Sequence, residues 1–218
     1  MSFRKALAAA AALLMLAFTA GAQQPYALMN PPQPTEGGGK IEVVEFFWYG
    51  CPHCYHLEPA LNAWLKNAPK DVVFKRIPAV PSASWEPLAS VYYTLEAMGL
   101  LDKYHSKVFD AIHKDNENLG NKNVREKWLA KNGIDAKKYE EMEKSFSVVS
   151  KVQRAKQLTQ GYKVDGVPRI VVNGRYYTSP DQAGGADQRM LAAVDQIIAI
   201  ARKEKAAMLP VPGKLARR

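Results

Sequence analysis

Phe46-Phe47-Trp48-Tyr49-Gly50-Cys51-Pro52-His53-Cys54 is the stretch on which the reading of this chain turns. The apolar run from Ile41 to Trp48, rich in branched and aromatic residues, has the pattern of a central strand covered on both faces. After Gly50 the pattern changes. Leu57, Leu61, Trp64 and Leu65 recur at three- and four-residue spacings, as on one face of a helix, which Pro59 is expected to kink. Cys51 therefore falls where a strand has ended and a helix begins, over unpaired backbone N–H groups that stabilise a thiolate. Cys54, one turn further on, lies within disulfide reach and is more shielded, which divides the pair into an exposed attacking sulfur and a resolving one. His53 adds a donor or partial positive charge beside Cys51 and is expected to depress its pKa further. Each unit of depression favours the thiolate by about 1.4 kcal/mol, which in a two-electron couple is roughly 30 mV of oxidising power.

Outward from the motif, Val72 to Ile77 reads as a second strand, and from Trp85 to Gln160 the pattern is helical throughout. Gly99, Gly120 and Asn132-Gly133 punctuate this insert. Trp85/Leu88/Tyr92, Tyr104/Val108/Ile112, Val124/Trp128 and Phe146/Val149/Val152 supply its inward stripes. Strand character returns at Val167 to Val172 and Tyr176-Tyr177, which flank Asn173-Gly174, a strong hairpin signal because both turn positions favour positive φ. A last helix runs from Asp187 to Lys205, with Leu191, Val194, Ile197, Ile198 and Ala201 on one stripe. His105 and His113 fall in the insert and are expected to be exposed or packed.

The 218 residues, 47% hydrophobic and 23% charged, suit one globular domain carrying an insertion and leave no room for several independent modules. Residues 1–22 read as a secretory signal: Arg4 and Lys5, then the apolar run Ala6 to Phe18, then Ala20-Gly21-Ala22 as a cleavage site, with cleavage after Ala22. The apolar run is short of the roughly 20 residues that span a bilayer, so the mature chain is expected to be soluble. Residues 23–39, with four prolines and Gly37 to Gly39, read as a flexible leader, and residues 207–218 as a basic tail. Loss of Arg4 and Lys5 takes the net charge from +9 to +7. That charge is scattered and accompanied by no recognition motif, so no nucleic-acid partner is expected. Cys51 and Cys54 are the only cysteines. They can neither staple remote segments nor complete a four-cysteine zinc site, and in an oxidising compartment they are expected to pair.

Two other readings use the same residues. The pair is a structural disulfide in one of them, although so small a ring removes only roughly 2 kcal/mol of unfolded-state entropy. In the other, Cys51, Cys54, His53 and His56 hold copper or zinc, although four ligands at one helical start converge poorly. Glu45 shares a strand face with Ile41, Val43 and Phe47, which makes it a candidate buried acid of raised pKa that relays a proton to or from Cys54. It also has Lys75 or Arg76 on the neighbouring strand as candidate ion-pair partners.

Glu45-Phe46-Phe47 followed by Cys51-Pro52-His53-Cys54-Tyr55, with Gly166-Val167-Pro168 and Val172-Asn173-Gly174-Arg175-Tyr176 far downstream, closely resembles the DsbA family of periplasmic thiol:disulfide oxidoreductases, over residues 40–205. The resemblance implies an α/β, thioredoxin-like fold with an inserted all-helical domain: residues 40–82 and 161–206 form the thioredoxin-like part and 83–160 the insert. It implies a cis Val167-Pro168 bond beside the motif, with Pro168 keeping metals from the cysteines and Val167 pairing with an extended substrate backbone. Cys51, Pro52, His53, Cys54 and Glu45 then carry the chemistry, with no cofactor beyond the Cys51-Cys54 disulfide and no metal. Trp48, Tyr49 and Tyr55 are expected to offer an apolar surface to unfolded, newly exported, cysteine-containing proteins. A membrane-embedded, quinone-linked DsbB-type protein is the implied reoxidant. The chain is expected to be a monomer; the alternatives are a disulfide isomerase or reductase, whose dimerisation domain the chain has no spare length to supply, and a non-enzymatic exported metal-binding protein.

Overall fold

The computed structural model describes residues 24–208. The signal read over residues 1–22 and tail residues 209–218 lie outside that span. Chain order is β1 (Ala27–Leu28), β2 (Ile41–Phe47), α1 (Pro52–Lys66), β3 (Val72–Pro78), a 3-10 turn (Ala83–Trp85), α2 (Glu86–Ala97), α3 (Leu101–His113), α4 (Lys122–Lys131), α5 (Ala136–Glu143), α6 (Phe146–Gly161), β4 (Arg169–Val172), β5 (Tyr176–Thr178), the short α7 (Pro180–Ala183) and α8 (Gln188–Met208). The sheet runs β1-β5-β4-β2-β3, with β2 parallel to β3 and the other pairs antiparallel. All seven residues of β2 are buried, which is why its sequence is a nearly unbroken apolar run.

Helices cover both faces of the sheet. Ile41 and Val43 of β2 pack with Leu57 and Leu61 of α1 and with Val194, Ile197 and Ile198 of α8. Val44 and Phe46 point the other way, onto Tyr162 and Val171. Phe47 at the end of the strand reaches into the core of the insert, with Tyr92, Tyr104, Phe109, Trp128 and Leu129. Burying each such side chain contributes about 1.5–3 kcal/mol, so this residue ties the sheet to the helices inserted between β3 and β4.

Caps set the phase of the insert's helices. Asn121, Asp135 and Ser145 accept backbone N–H groups at the starts of α4, α5 and α6. With Ser145 as cap, α6 turns Val148, Val152, Ala155 and Thr159 inward. Phe146 and Val149, read from sequence as core, face solvent instead at 88% and 48% exposure. The three-residue spacing of Phe146, Val149 and Val152 drifts off the helical face, and the buried stripe follows the four- and three-residue steps from Val148. Pro59 lies inside α1, which continues through it to Lys66. Residues 207 and 208, read as tail, belong to α8.

The leader also departs from its reading. Ala27 and Leu28 pair with Tyr177 and Tyr176 as an edge strand, Met29 is buried, and the Met29 N–H donates to the Arg175 carbonyl at 2.7 Å. Its prolines mask a short proline-free stretch, Tyr26 to Met29, that satisfies the backbone groups β5 would otherwise expose. Asn173 and Gly174 both take positive φ, 50° and 59°, as the hairpin signal requires. The Gln33 N–H donates to the Gly174 carbonyl at 2.8 Å, and a side chain at Gly174 would overlap the Gln33 carbonyl. Gly174→Ala is therefore expected to cost at least about 1 kcal/mol, read as a lower urea midpoint, and to free the leader to proteolysis.

Candidate active site

Cys51 is the N-cap of α1, with φ −89° and ψ 117°, and its Sγ accepts the Cys54 backbone N–H at 3.4 Å. Pro52 occupies the first helical position, where its missing N–H costs no hydrogen bond. Gly50 lets the Trp48 ring lie against the turn, since a Cβ there would fall 2.5 Å from that ring. Both thiols are free, and both are largely buried: Cys54 has no exposure and Cys51 has 8%. The attacking sulfur, expected to be exposed, is thus mostly covered, with a small opening beside His53. His53 faces solvent at the edge of that opening.

The electrostatics separate the two sulfurs. A hydrogen bond from the Cys54 thiol is the largest of the effects holding the Cys51 pKa down at about 6, with the backbone N–H groups of Cys54 and His53 and the His53 charge adding to it against burial. Burial pushes Cys54 well above its ordinary value, and the charges of Cys51 and Glu45 push the same way. Pairing of β4 with β2, Arg169 opposite Phe46, brings the loop before β4 to this point. The Val167-Pro168 peptide is cis, and the Cys51 thiol donates to the Val167 carbonyl at 3.3 Å. A cleft of about 290 Å³ opens there, lined by His53, Val167, Pro168, Ser179 and Asp181.

Glu45 is 1% exposed, and burial above all lifts its pKa to about 8, with Arg76 opposing. Arg76 Nε donates to Glu45 Oε2 at 3.1 Å, so the buried acid has a cationic hydrogen-bond partner, while Lys75 pairs with Glu42 and Glu36. Glu45 Oε1 has no hydrogen-bond partner. Behind this pair lies a set of polar residues that the sequence reading missed. Glu58 of α1 accepts from Arg76 at 3.1 Å and from Asn62 at 3.0 Å, and sits 3.3 Å from His105 Nε2. Burial pushes Glu58 up, but His105, Arg76 and Asn62 together hold it below the usual carboxylate range. Its signal was its place on the inward stripe, four residues after Cys54 and beside Leu57 and Leu61.

Tyr49, expected to face substrate, is fully buried, with its hydroxyl 2.7 Å from His105 Nδ1 and its carbonyl accepting from His113 Nε2 at 2.8 Å. Trp48 and Tyr55 are half-buried: Trp48 stacks on Trp85 at 4.1 Å, and Tyr55 stacks on His113 and donates to Asp110. Arg169 was also missed. It is a buried cation inside an apolar strand, and it binds the Lys163 carbonyl and the Asp165 carboxylate while lying 4.4 Å over the Tyr177 ring. It thereby ties down the loop that presents Val167 and Pro168. Among the described residues, no group of three or more His, Cys, Asp or Glu side chains is arranged to hold a metal ion. His53 and His56 face solvent and do not close around the sulfurs.

Residues 42–194 match the family described as the DSBA-like thioredoxin domain. This chain belongs to that family. Thiol:disulfide interchange protein DsbA of Bordetella parapertussis is 44% identical over 93% of this chain and 98% of its own length. DsbA of Pseudomonas aeruginosa is 40% identical over 87% of each. The crystal structure of Pseudomonas aeruginosa DsbA superposes with a TM-score of 0.78 at 38% identity, covering 84% of this chain and 95% of that one. NmDsbA1 from Neisseria meningitidis superposes with a TM-score of 0.73 at 29% identity over 84% and 94%. The fold is the thioredoxin-like one with a helical insertion, and the chain is a thiol:disulfide oxidoreductase.

A thiol whose pKa is lower in the folded chain than in the unfolded one binds fewer protons when folded. In the reduced protein the Cys51 thiol is accordingly expected to contribute stability that grows as pH rises from about 6 towards 9.0 and is lost as pH falls through 6, a contribution read as the difference from Cys51→Ser. Ultraviolet titration of the Cys51 thiolate checks the midpoint, and Cys54→Ala is expected to raise it by removing the largest stabilising contact.

Proposed function

We propose that the mature chain, released in the periplasm by cleavage after Ala22, is an oxidase that donates its Cys51-Cys54 disulfide to newly exported, unfolded proteins. A substrate thiolate attacks Cys51 Sγ. The Cys51–Cys54 bond breaks, a mixed disulfide forms at Cys51, and Cys54 leaves with the bonding pair. Cys54 has a raised pKa and takes up a proton, which Glu45, still protonated at neutral pH, supplies in this reading. The substrate's second thiolate then attacks the substrate sulfur of the mixed disulfide and expels Cys51 as a thiolate. The substrate loses two electrons, and the cysteine pair gains them.

The observation that carries this reading is Cys51 at the N-cap of α1, its Sγ accepting the Cys54 N–H at 3.4 Å with Cys54 fully buried behind it; a lowered Cys51 pKa and a raised Cys54 pKa go with that geometry. A stabilised Cys51 thiolate is a good leaving group and favours the reduced enzyme, and both effects drive oxidation of the substrate. His53 contributes charge at the opening, and Pro52 fixes the first turn. The cis Val167-Pro168 segment, tied down through Arg169, offers backbone groups to an extended chain in the cleft, which suits loose selection by main-chain bonding. A membrane-bound, quinone-linked DsbB-type partner restores the disulfide, no cofactor beyond that disulfide takes part, and the chain acts as a monomer.

Oxidation of a reduced, unfolded cysteine-containing protein tests the assignment. Cys51→Ser is expected to bring the rate to background with the fold intact, and persistent activity would refute the nucleophile. Pro168→Thr is expected to accumulate mixed disulfides visible on non-reducing gels, and their absence would remove this loop from the substrate site. Because the Glu45 pKa is raised, its contribution to stability is present below 4.5 and lost as pH rises through about 8. Glu45→Gln is expected to flatten that loss and to change the pH dependence of exchange, and an unaltered rate profile would exclude the relay.

A further inference from the structure

We propose that His105, carried by the inserted helix α3, is a positioning residue for the exchange reaction: its Nε2–H bond to Glu58 sets how the Arg76 guanidinium is divided between Glu58 and Glu45. The inference rests on the proton-relay role proposed for Glu45. It starts from the hydrogen bonds around the imidazole. His105 is 6% exposed, with Nδ1 2.7 Å from the Tyr49 hydroxyl and Nε2 3.3 Å from Glu58 Oε1. Glu58 already accepts from Arg76 and Asn62, so it presents a carboxylate to the imidazole. An ionised carboxylate only accepts, which puts a proton on Nε2. Burial lowers the His105 pKa despite Glu58, so the ring is neutral and carries that proton alone. Nδ1 then accepts from the Tyr49 hydroxyl, which burial keeps protonated.

The groups facing His105 are Tyr49 from the loop before α1, Glu58 from α1, Arg76 from β3, Tyr92 from α2 and Asp102 on its own helix. Phe47 and Phe109 close the ring in edge-on. One guanidinium serves two carboxylates here. Arg76 Nη2 lies 3.1 Å from Glu58 Oε1, and its Nε lies 3.1 Å from Glu45 Oε2. Glu58 receives three donors, whereas Glu45 receives Arg76 alone and has a bare Oε1. Two buried acids sharing a cation titrate as a pair, and the one with more donors ionises first. The His105 donor therefore helps keep Glu58 the anion and Glu45 the proton carrier. Without it, Glu45 competes better for Arg76 and gives up its proton at lower pH.

The test compares His105→Leu, His105→Gln and Glu58→Gln in the full mature protein, with the Glu45 carboxyl followed by carbon NMR and exchange rates followed against pH. His105→Leu and Glu58→Gln are each expected to lower the Glu45 midpoint by about one pH unit. The pH profile of exchange should move with it. His105→Gln, whose amide can still donate to Glu58, is expected to stay near the parent. An unmoved Glu45 midpoint in folded His105→Leu overturns the proposal. Should that variant fail to fold, an unmoved midpoint in Glu58→Gln overturns it equally. A midpoint that moves while the rate profile stays fixed supports the coupling and refutes the relay role of Glu45, which separates the two failures.

Discussion

The bond from the first turn of α1 to Cys51 Sγ is the constraint on which the rest of this molecule depends. A sulfur at a helix N-cap meets N–H groups that no carbonyl in the helix can satisfy, and here the Cys54 thiol joins them. These donors are worth most to a negative sulfur. They lower the free energy of the state in which Cys51 carries charge, and a disulfide carries none. The preference for the reduced pair is thus a property of the strand-to-helix junction, which β2 and α1 hold in place by burying Ile41, Val43, Leu57 and Leu61 together.

The insertion does more than fill space beside this junction. Its helix α3 holds Tyr49 at both ends, the hydroxyl through His105 and the carbonyl through His113, two residues before Cys51. From Tyr49 a line of polar contacts runs through His105, Glu58 and Arg76 to Glu45 beneath the motif. A buried charge is costly unless paired, and this line distributes one cation over two acids, leaving Glu45 as the acid that keeps its proton. On the opposite side, Arg169 anchors the loop that brings Val167 to Cys51 from 116 positions away in the chain. Two separately placed cations therefore frame the cysteines, one beneath the motif and one at the cleft.

The parts of this arrangement that were legible in the sequence are those set by local periodicity and turn chemistry. The run from Ile41, the stripe of α1 and Asn173-Gly174 each carry their structure within a few residues. Glu45 could be singled out because a charged residue in an apolar strand demands a partner, and Arg76 is in register with it. Glu58 and Arg169 pose the same demand, but one lies in a helix and the other at a strand start, where a charge commonly meets solvent. His105 and Tyr49 were illegible because their meaning lies in contact between the motif and a helix more than fifty positions away. Phe146 misled because a three-residue spacing was taken for a buried face, and the leader because its prolines outweighed a four-residue strand signal.

The most direct test of the central claim is the equilibrium between the oxidised and reduced Cys51-Cys54 pair across graded glutathione buffers. A junction that stabilises the Cys51 thiolate as described should give a potential well above the value of about −270 mV typical of thioredoxin. A potential at or below that value would mean that the helix terminus, the Cys54 thiol and His53 do not favour the reduced pair, and the protein would then work as a reductase or isomerase.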